Sequence, residues 1–468
     1  MKTKYSLLLV LFVAISSQLS AQQTITLNEA RERALSANKD VKKSQLTREQ
    51  VSYDAASYKS LYYPRVNLIA ADYYSTAKGD ITISGGHLPI YYYNAEAGQY
   101  IPNVTPNADG SYTLNQYADF PDQKKEYKIK NVLIGGIQLQ QPLYMGGKIT
   151  AAYNMAQIGQ QMATENIRLS ENEVIVNTDE AYIQAVRAKE LANVARSYQT
   201  LLQELQKNVD AAVRHGMKTH NDQLKVQVKL NEAQLSIQKA DNAYRLARMN
   251  LCHLMGLPLD THIEVVSPDN DALADFQVNA DVNSSTALRP EHNLMRAKAE
   301  LAEKQVKLTK SEFMPNLALI GGYNYMNGGE LAGKKLIDSG SGYVAVTFKM
   351  PLITFGERTN KVNSARAKHQ IALLEQQDID EKLTLQLTQS INNLEEAQSE
   401  VALTKESLKQ AEENMKQSKQ LYEVGIEPLS DYLDAQALWQ KASADVVEAR
   451  CQQLLAHTKY LRASGKLK

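Results

Sequence analysis

Apolar and polar positions follow two periods along this chain, and each period marks a different kind of element. Leu387, Leu394, Val401, Leu408, Met415 and Tyr422 recur every seven residues, and small residues follow three places later at Ser390, Ala397, Thr404, Ala411 and Ser418. A large residue and a small one at an average spacing of 3.5 form a coiled-coil seam. The stretch Glu357 to Val424 that carries it has neither Pro nor Gly. A matching stretch, Lys148 to His215, has Gly159 as its only weak point. Each predicts a helix of roughly 100 Å at 1.5 Å per residue. So narrow a seam needs lateral helix neighbours rather than a globular core. Gly216 and Gly425 then break the helices, and return arms run to about Met255 and Leu461.

The second period is two. Leu317, Leu319, Gly321, Tyr323 and Tyr325 share one face, and Val344, Val346, Phe348 and Met350 oppose Ala345, Thr347 and Lys349. In the first half Leu133, Gly135, Ile137 and Leu139 oppose Gln138 and Gln140, while Arg65 to Tyr74 alternates poorly. Strands of about ten residues with one apolar face suit a tilted membrane barrel, although an ordinary half-buried antiparallel sheet gives the same pattern. Pro64, Pro142, Pro315 and Pro351 bound these segments and predict the strand-helix junctions. A first helix should start at the Thr26-Leu27-Asn28-Glu29 capping box and run to about Ser60, with a counterpart from near Asn283 to Glu312.

The two halves are copies. Pro142-Leu143 returns as Pro351-Leu352, Gly216 as Gly425, Asp222 as Asp431 and Gly256 as Gly465, always 209 positions on. The organisation read from this is a first repeat over 22–256, an inter-repeat segment over 257–282 and a second repeat over 283–468. The strand-to-strand connection is longer in the first repeat, because about Lys78 to Tyr127 is an insertion rich in Gly, Pro, Asn and Tyr. That composition predicts a surface loop. Thirteen of the 25 Tyr fall between Tyr53 and Tyr127, as expected of an aromatic girdle together with a Tyr-rich loop.

Residues 1–21 read as a secretory signal, with Lys2 and Lys4 ahead of an apolar run and Leu19-Ser20-Ala21 at its end. No Cys follows the cleavage site, so an N-terminal lipid anchor is not expected. No later stretch approaches the roughly 20 apolar residues of a membrane helix, so a membrane would have to be crossed by strands. Four strands cannot close a cylinder, and unpaired edge amides in hydrocarbon cost several kcal/mol each. The edges therefore require other copies of the chain: two copies give eight strands and three give twelve. The formal net charge of zero argues against nucleic acid. Cys252 and Cys451 leave open a disulfide or two small buried residues. No phosphate-binding loop, nucleophile elbow or metal-ligand spacing occurs, so neither enzyme activity nor a cofactor is expected. His215 and His220 flank Met217 without a known ligand spacing and read as polar turn residues.

Leu27-Asn28-Glu29-Ala30, Gln141-Pro142-Leu143 through Gly146-Gly147, Leu288-Arg289-Pro290-Glu291 and Tyr422-Glu423-Val424-Gly425, leading into Leu429-Ser430-Asp431-Tyr432-Leu433-Asp434-Ala435-Gln436, together resemble the TolC-like outer-membrane efflux proteins. The resemblance implies an α+β membrane protein in the outer membrane of a Gram-negative bacterium. Three copies would build a twelve-stranded β-barrel continuous with a periplasmic α-helical barrel. It also implies an export duct that docks a periplasmic adaptor at the Gly216 and Gly425 tips, tied to an inner-membrane pump of RND, ABC or MFS type. The family's constricting aspartates map onto Asp431 and Asp434, with solvated tip residues as the plainer alternative. Its closing links map onto Tyr422 and Asp222. A basic family residue is here Glu427, so Lys218 is the expected positive partner. Two rivals remain: a soluble periplasmic adaptor with a coiled-coil hairpin, and a surface enzyme seated on the Tyr-rich insertion.

Overall fold

The computed structural model describes residues 23–268 and 282–467; the expected signal at 1–21 and part of the inter-repeat segment lie outside them. The chain divides into two compact units. Among the described residues, one is a strand unit formed by Ser57–Ala151 and Lys307–Asn360, and the other is a helical unit formed by 23–56, 152–268, 282–306 and 361–467.

In the helical unit, β1 (Gln23–Ile25) precedes α1 (Leu27–Ala37). The capping box forms as expected: the Thr26 N–H donates to Glu29 Oε2 at 2.9 Å, and the Glu29 N–H donates to Thr26 Oγ1 at 3.4 Å. The first helix does not run unbroken. It stops at Asn38, whose backbone is extended and whose Oδ1 accepts from the Asp40 and Val41 amides. A second helix, α2 (Lys39–Ser60), starts there. Its counterpart is split too, into α5 (Val282–Leu288) and α6 (Pro290–Ser311), because Pro290 cannot continue the ladder and suits a helix start.

The two long helices are α3 (Lys148–Arg214) and α7 (Glu357–Glu423), of 67 residues each. Their return arms are α4 (His220–Leu254) and α8 (Leu429–Ala463), of 35 residues each. The repeat register therefore holds to the residue at all four boundaries. The α7 seam is buried over its first half and half-buried at Thr404, Leu408, Met415 and Tyr422. Leu387, Leu394, Val401, Ser390, Ala397, Ala411 and Ser418 are all buried, and the first two pack with Ala456, Tyr460 and Ala463 of α8. Burying each such Leu stabilises by about 1.5–3 kcal/mol.

Beside the end of α4, β1 pairs in parallel with β10 (Ile263–Val265). The buried Tyr182 hydroxyl ties that ribbon to α3. It lies 2.8 Å from the Ile25 carbonyl and 2.7 Å from the Val266 carbonyl, and it accepts from the Val266 N–H at 3.1 Å. Gly256 and Gly465 end the return arms with φ of 69° and 70°. An added Cβ would lie 2.6 Å from Ala37 Cβ at the first and 2.8 Å from Leu288 Cβ at the second. Both glycines are thus required twice, by backbone angle and by close approach. Cys252 and Cys451 are both free and buried.

The strand unit holds one four-stranded antiparallel sheet in the order β12–β11–β9–β2, made of β2 (Arg65–Ile83), β9 (Gln123–Met145), β11 (Asn316–Leu331) and β12 (Lys334–Lys349). These strands of 16 to 23 residues exceed the expected ten or so. The register places Val66 and Leu68 beside Leu139 and Ile137, then Gly321 and Tyr323, with Val344 completing the row. This face is apolar across all four strands and exposed in the single chain, Leu68 at 80% and Val344 at 79%. The opposite face carries Asn67, Gln138, Gln140, Asn324, Thr347 and Lys349. No described helix is long and apolar enough to cross a membrane.

Two expectations need correction here. Pro142 is not at the strand-helix junction but within β9, three residues before its end. The β2 ladder begins only at Gln140, so Pro142 deprives no β2 partner of a donor, and a bulge at Leu143 sits beside it. Pro64 and Pro315 directly precede β2 and β11, and Pro351 follows β12 by two residues. The insertion is also not an irregular loop. β2 and β9 extend into it, and the remainder forms three short ladders: β3 (Gly86–Pro89) with β8 (Tyr117–Phe120), β4 (Tyr91–Asn94) with β5 (Gln99–Pro102), and β6 (Val104–Pro106) with β7 (Tyr112–Leu114).

Candidate functional site

Both helical hairpins turn at a glycine by the same device. Gly216 has φ 72°, its N–H donates to the Val213 carbonyl at 3.0 Å, and the Met217 N–H reaches the Ala212 carbonyl at 2.8 Å. Gly425 has φ 80°, with the Gly425 and Ile426 amides donating to Tyr422 and Leu421 at 3.1 and 2.9 Å. These are Schellman closures, which need a left-handed residue at that position. The apolar residues beside the glycines stay uncovered in the single chain: Met217 is 70% exposed and Ile426 73%.

The arms restart differently. Thr219 caps α4 with a full capping box closed by Asp222, whereas Pro428 precedes α8 without a side-chain cap. Asp222 Oδ2 accepts from Thr219 Oγ1 at 2.9 Å and from the Thr219 N–H at 3.2 Å, with Lys225 Nζ 3.9 Å from Oδ1. Burial pushes the Asp222 carboxyl up, but the Thr219 donors, with Lys225 and Lys218 nearby, outweigh it and hold it below the usual range. A carboxylate with a depressed folded pKa contributes stability that is present above its unfolded value of about 3.9 and lost as pH falls through the folded value. Amide exchange in the first turn of α4 should therefore accelerate, relative to its intrinsic rate, below about pH 4. Thr219→Ala should weaken that turn by about 1 kcal/mol at neutral pH. Unchanged protection in the variant would remove the cap's role.

Lys218 does not meet Glu427 within one chain. Its ammonium lies 4.8 Å from the centroid of the Tyr422 ring, in cation–π contact. Tyr422 in turn stacks on Tyr432, centroids 5.4 Å apart at 19°. Burial pushes both phenols up, Tyr422 further by the Asp222 charge. Glu427 accepts a hydrogen bond from Ser418 Oγ on the buried seam of α7. It thereby braces the second turn from below.

Asp431 and Asp434 are exposed on the first turns of α8, and Ser430 Oγ donates to Asp431 Oδ1 at 3.0 Å. Asp434 lies close enough to Tyr198 for its charge to help raise that phenol, after burial. The tip rests on one apolar cluster in which Leu202, Leu205 and Val209 of α3 meet Val226 and Leu230 of α4 and Leu429, Tyr432 and Leu433 of α8. The two repeats are joined there. His220 Nδ1 sits 3.0 Å from Gln223 Oε1, and His215 is exposed. Among the described residues no group of three potential ligands could hold a metal.

Sequence reasoning missed Tyr432, Thr219 and Ser418 as parts of this site. A signal was available for the aromatic pair: Tyr422 and Tyr432 occupy positions where the first repeat has Val213 and Gln223. The stack is thus a feature of one copy only.

With this geometry in hand, comparison with known proteins gives a consistent result. A family model described as "Outer membrane efflux protein" matches residues 30–257 and 283–466, most of the chain. The chain belongs to the outer membrane efflux protein family. It is similar to the outer membrane protein TolC of Vibrio cholerae, 20% identical over 381 residues covering 77% of this chain and 82% of that one. It is also similar to the alkaline protease secretion protein AprF of Pseudomonas aeruginosa, 23% identical over 271 residues, 57% of this chain and 55% of that one. Among solved structures, the Campylobacter jejuni CmeC outer membrane channel superposes with a TM-score of 0.71 at 17% identity, covering 94% of this chain and 86% of that one. CusC gives 0.74 at 13% identity, covering 94% and 91%. These likenesses show the fold of outer-membrane channels. This outer membrane efflux protein is an exit channel for efflux or secretion, and neither the soluble adaptor nor the surface enzyme is favoured.

Proposed function

We propose that three copies of this chain form a single passive duct through the outer membrane, taking substrates from a periplasmic adaptor and an inner-membrane pump of RND, ABC or MFS type. The observation that carries the reading is the sheet, with an apolar face across all four strands and two edges, β2 and β12, that have no further strand beside them among the described residues. Such edges in hydrocarbon must be paired, and three copies close twelve strands. The family matches support the same architecture. No cofactor or nucleic acid takes part. The test is the mass of the detergent-solubilised protein, corrected for bound detergent, with cysteines placed across the β2 and β12 edges. A trimer whose cysteines cross-link between copies is expected; a stable dimer or monomer would reject the duct as described.

The tips form its entrance, with Gly216 and Gly425 setting the turns that the adaptor meets. Asp431 and Asp434 lie three apart, on one helix face. Three copies would bring six carboxylates to one constriction, which binds multivalent cations. Lanthanum ions added on the tip side of a planar bilayer should block conductance. Replacing both residues with Asn should weaken the block by roughly tenfold or more, since removing six charges from one ring takes away several pairwise attractions. Equal block in the variant would leave the aspartates as solvated tip residues.

A further inference from the structure

The insertion in the first repeat folds into a built lobe. The ladder of β3 with β8 is a stem, and it branches into the β4–β5 and β6–β7 hairpins. The branch point is closed by three backbone bonds running around it: the Ile90 N–H donates to Gln116, Asn103 to Ile90 and Asn115 to Asn103, at 3.1, 2.8 and 3.0 Å. Side-chain amides lock the same junction. Asn103 Nδ2 donates to Gln116 Oε1 at 3.2 Å, Asn115 Nδ2 to Asn103 Oδ1 at 3.2 Å, and Thr105 Oγ1 to Asn115 Oδ1 at 2.8 Å. At its base Gly85 is pressed against the returning strand, where a Cβ would meet the Phe120 carbonyl at 1.9 Å. So much internal bonding fixes the lobe's surface before any ligand arrives.

That surface has an unusual chemistry. Tyr91, Tyr93 and Tyr100 share one face of the β4–β5 hairpin and are 57%, 57% and 70% exposed. Between Lys78 and Lys124 there is no Lys or Arg, while Asp80, Glu96, Asp109, Asp119 and Asp122 are all acidic. Phosphates, nucleic acid and other polyanions are therefore repelled. The same stretch contains no Trp, Met or Arg, so of the residue types enriched in protein interfaces it keeps mainly Tyr. What remains is three exposed phenol rings, of which Tyr93 and Tyr100 meet edge to face with centroids 5.4 Å apart at 66° and so form a faceted surface, and planar amides held in fixed orientations at the junction. Pyranose rings present a C–H face that an aromatic ring covers, and adjacent hydroxyls that an amide satisfies. We infer that this lobe binds a neutral saccharide chain, with the Tyr91, Tyr93 and Tyr100 rings as its platform and the junction amides taking ring hydroxyls.

Display of the lobe at the cell surface rests on the export-duct reading; the binding itself does not. The full-length chain in detergent would be run through native gels containing laminarin, soluble starch or mannan, and through gels containing heparin or polygalacturonate. At least one neutral polysaccharide should retard the protein and neither acidic one should. The triple variant Tyr91→Ala, Tyr93→Ala, Tyr100→Ala should weaken that retardation by about tenfold or more, as the loss of three stacking rings requires. The triple Phe variant, which keeps the rings, should retain most of it. Retardation by none of the neutral polymers, retardation only by the acidic ones, or an Ala variant that binds like the wild type would overturn the proposal. Single-channel conductance of the same preparations separates the two readings: a wild type that fails to conduct counts against the duct alone, and an Ala variant that conducts normally shows that its lost binding is not lost folding.

Discussion

Replacing Asp179 by Ala should lower the stability of the helical unit by about 3–5 kcal/mol, the usual cost of removing one partner from a buried ion pair. Asp179 lies on α3 with no exposed surface. The Arg31 guanidinium of α1 grips both of its oxygens, Nε at 2.7 Å from Oδ1 and Nη2 at 2.5 Å from Oδ2. The Thr458 hydroxyl of α8 donates to Oδ2 at 2.7 Å. One carboxylate thus joins three helices drawn from both repeats. A bidentate Arg fork adds geometric specificity to charge, and its partner cannot be removed without leaving a guanidinium 19% exposed and uncompensated. Burial and the Arg31 charge hold the nearby His457 imidazole below the usual range, against the Asp179 charge, so it supplies no counter-charge to the guanidinium. The measurement is the urea midpoint of the solubilised protein by circular dichroism. The double variant Arg31→Met, Asp179→Leu should recover most of the loss, since an apolar pair of similar volume is often neutral or stabilising there. A single variant that loses less than about 1 kcal/mol would place the pair among surface ion pairs instead.

Asp179 also illustrates which features were readable in the chain. Local devices were: the Thr26 box, the tip glycines and the α7 heptads from Leu387 to Val401 each depend on residues within one or two turns and formed as expected, whereas the break before Pro290 interrupts the single helix expected from near Asn283 to Glu312. The halt at Asn38 was local too, but it is made by an Asn side chain capping the next turn, without Pro or Gly to announce it. The poor alternation of β2 has a physical cause. Within Arg65 to Tyr74 the ladder is regular, but Ile69, Ala71 and Tyr73 place apolar groups on the side of Asn67, and Asp72 places a charge on the side of Val66 and Leu68; the ladder slips only after it, between Tyr74 and Ala77. The lobe was hidden for a different reason. Three-residue and four-residue ladders rich in Gly, Pro and Asn have the composition of a loop, and their order comes from the closed ring of bonds at the junction. At the tips, the family motif pointed to Asp222 and Tyr422. The Tyr432 stack and the Ser418–Glu427 bond cross between elements, and only the mismatch between repeats marks them.

Lys218→Ala should raise the single-channel conductance of the duct several-fold, and Glu427→Ala should raise it much less. In the proposed closed entrance, Lys218 is the expected positive partner in place of the basic residue that Glu427 replaces. The geometry gives them separate tasks. Lys218 lies over Tyr422, within a cluster that also holds Asp222 and Tyr432, so it faces the residues to which the family's closing links map. Removing it deletes a cation–π contact worth about 0.5–2 kcal/mol in each copy. Three copies acting together would shift an open-closed equilibrium by about 1.5–6 kcal/mol on that range, and each 1.4 kcal/mol is tenfold. Glu427 acts on Ser418 of α7, away from Lys218, and its loss leaves the Lys218–Tyr422 contact in place. Tyr422→Phe keeps the ring face for the ammonium and should conduct like the wild type, whereas Tyr422→Leu should resemble Lys218→Ala. Conductance in planar bilayers distinguishes the cases. Equal effects of the Lys218 and Glu427 variants would restore a direct pair formed between copies, and no effect of either would take the latch away from this tip altogether.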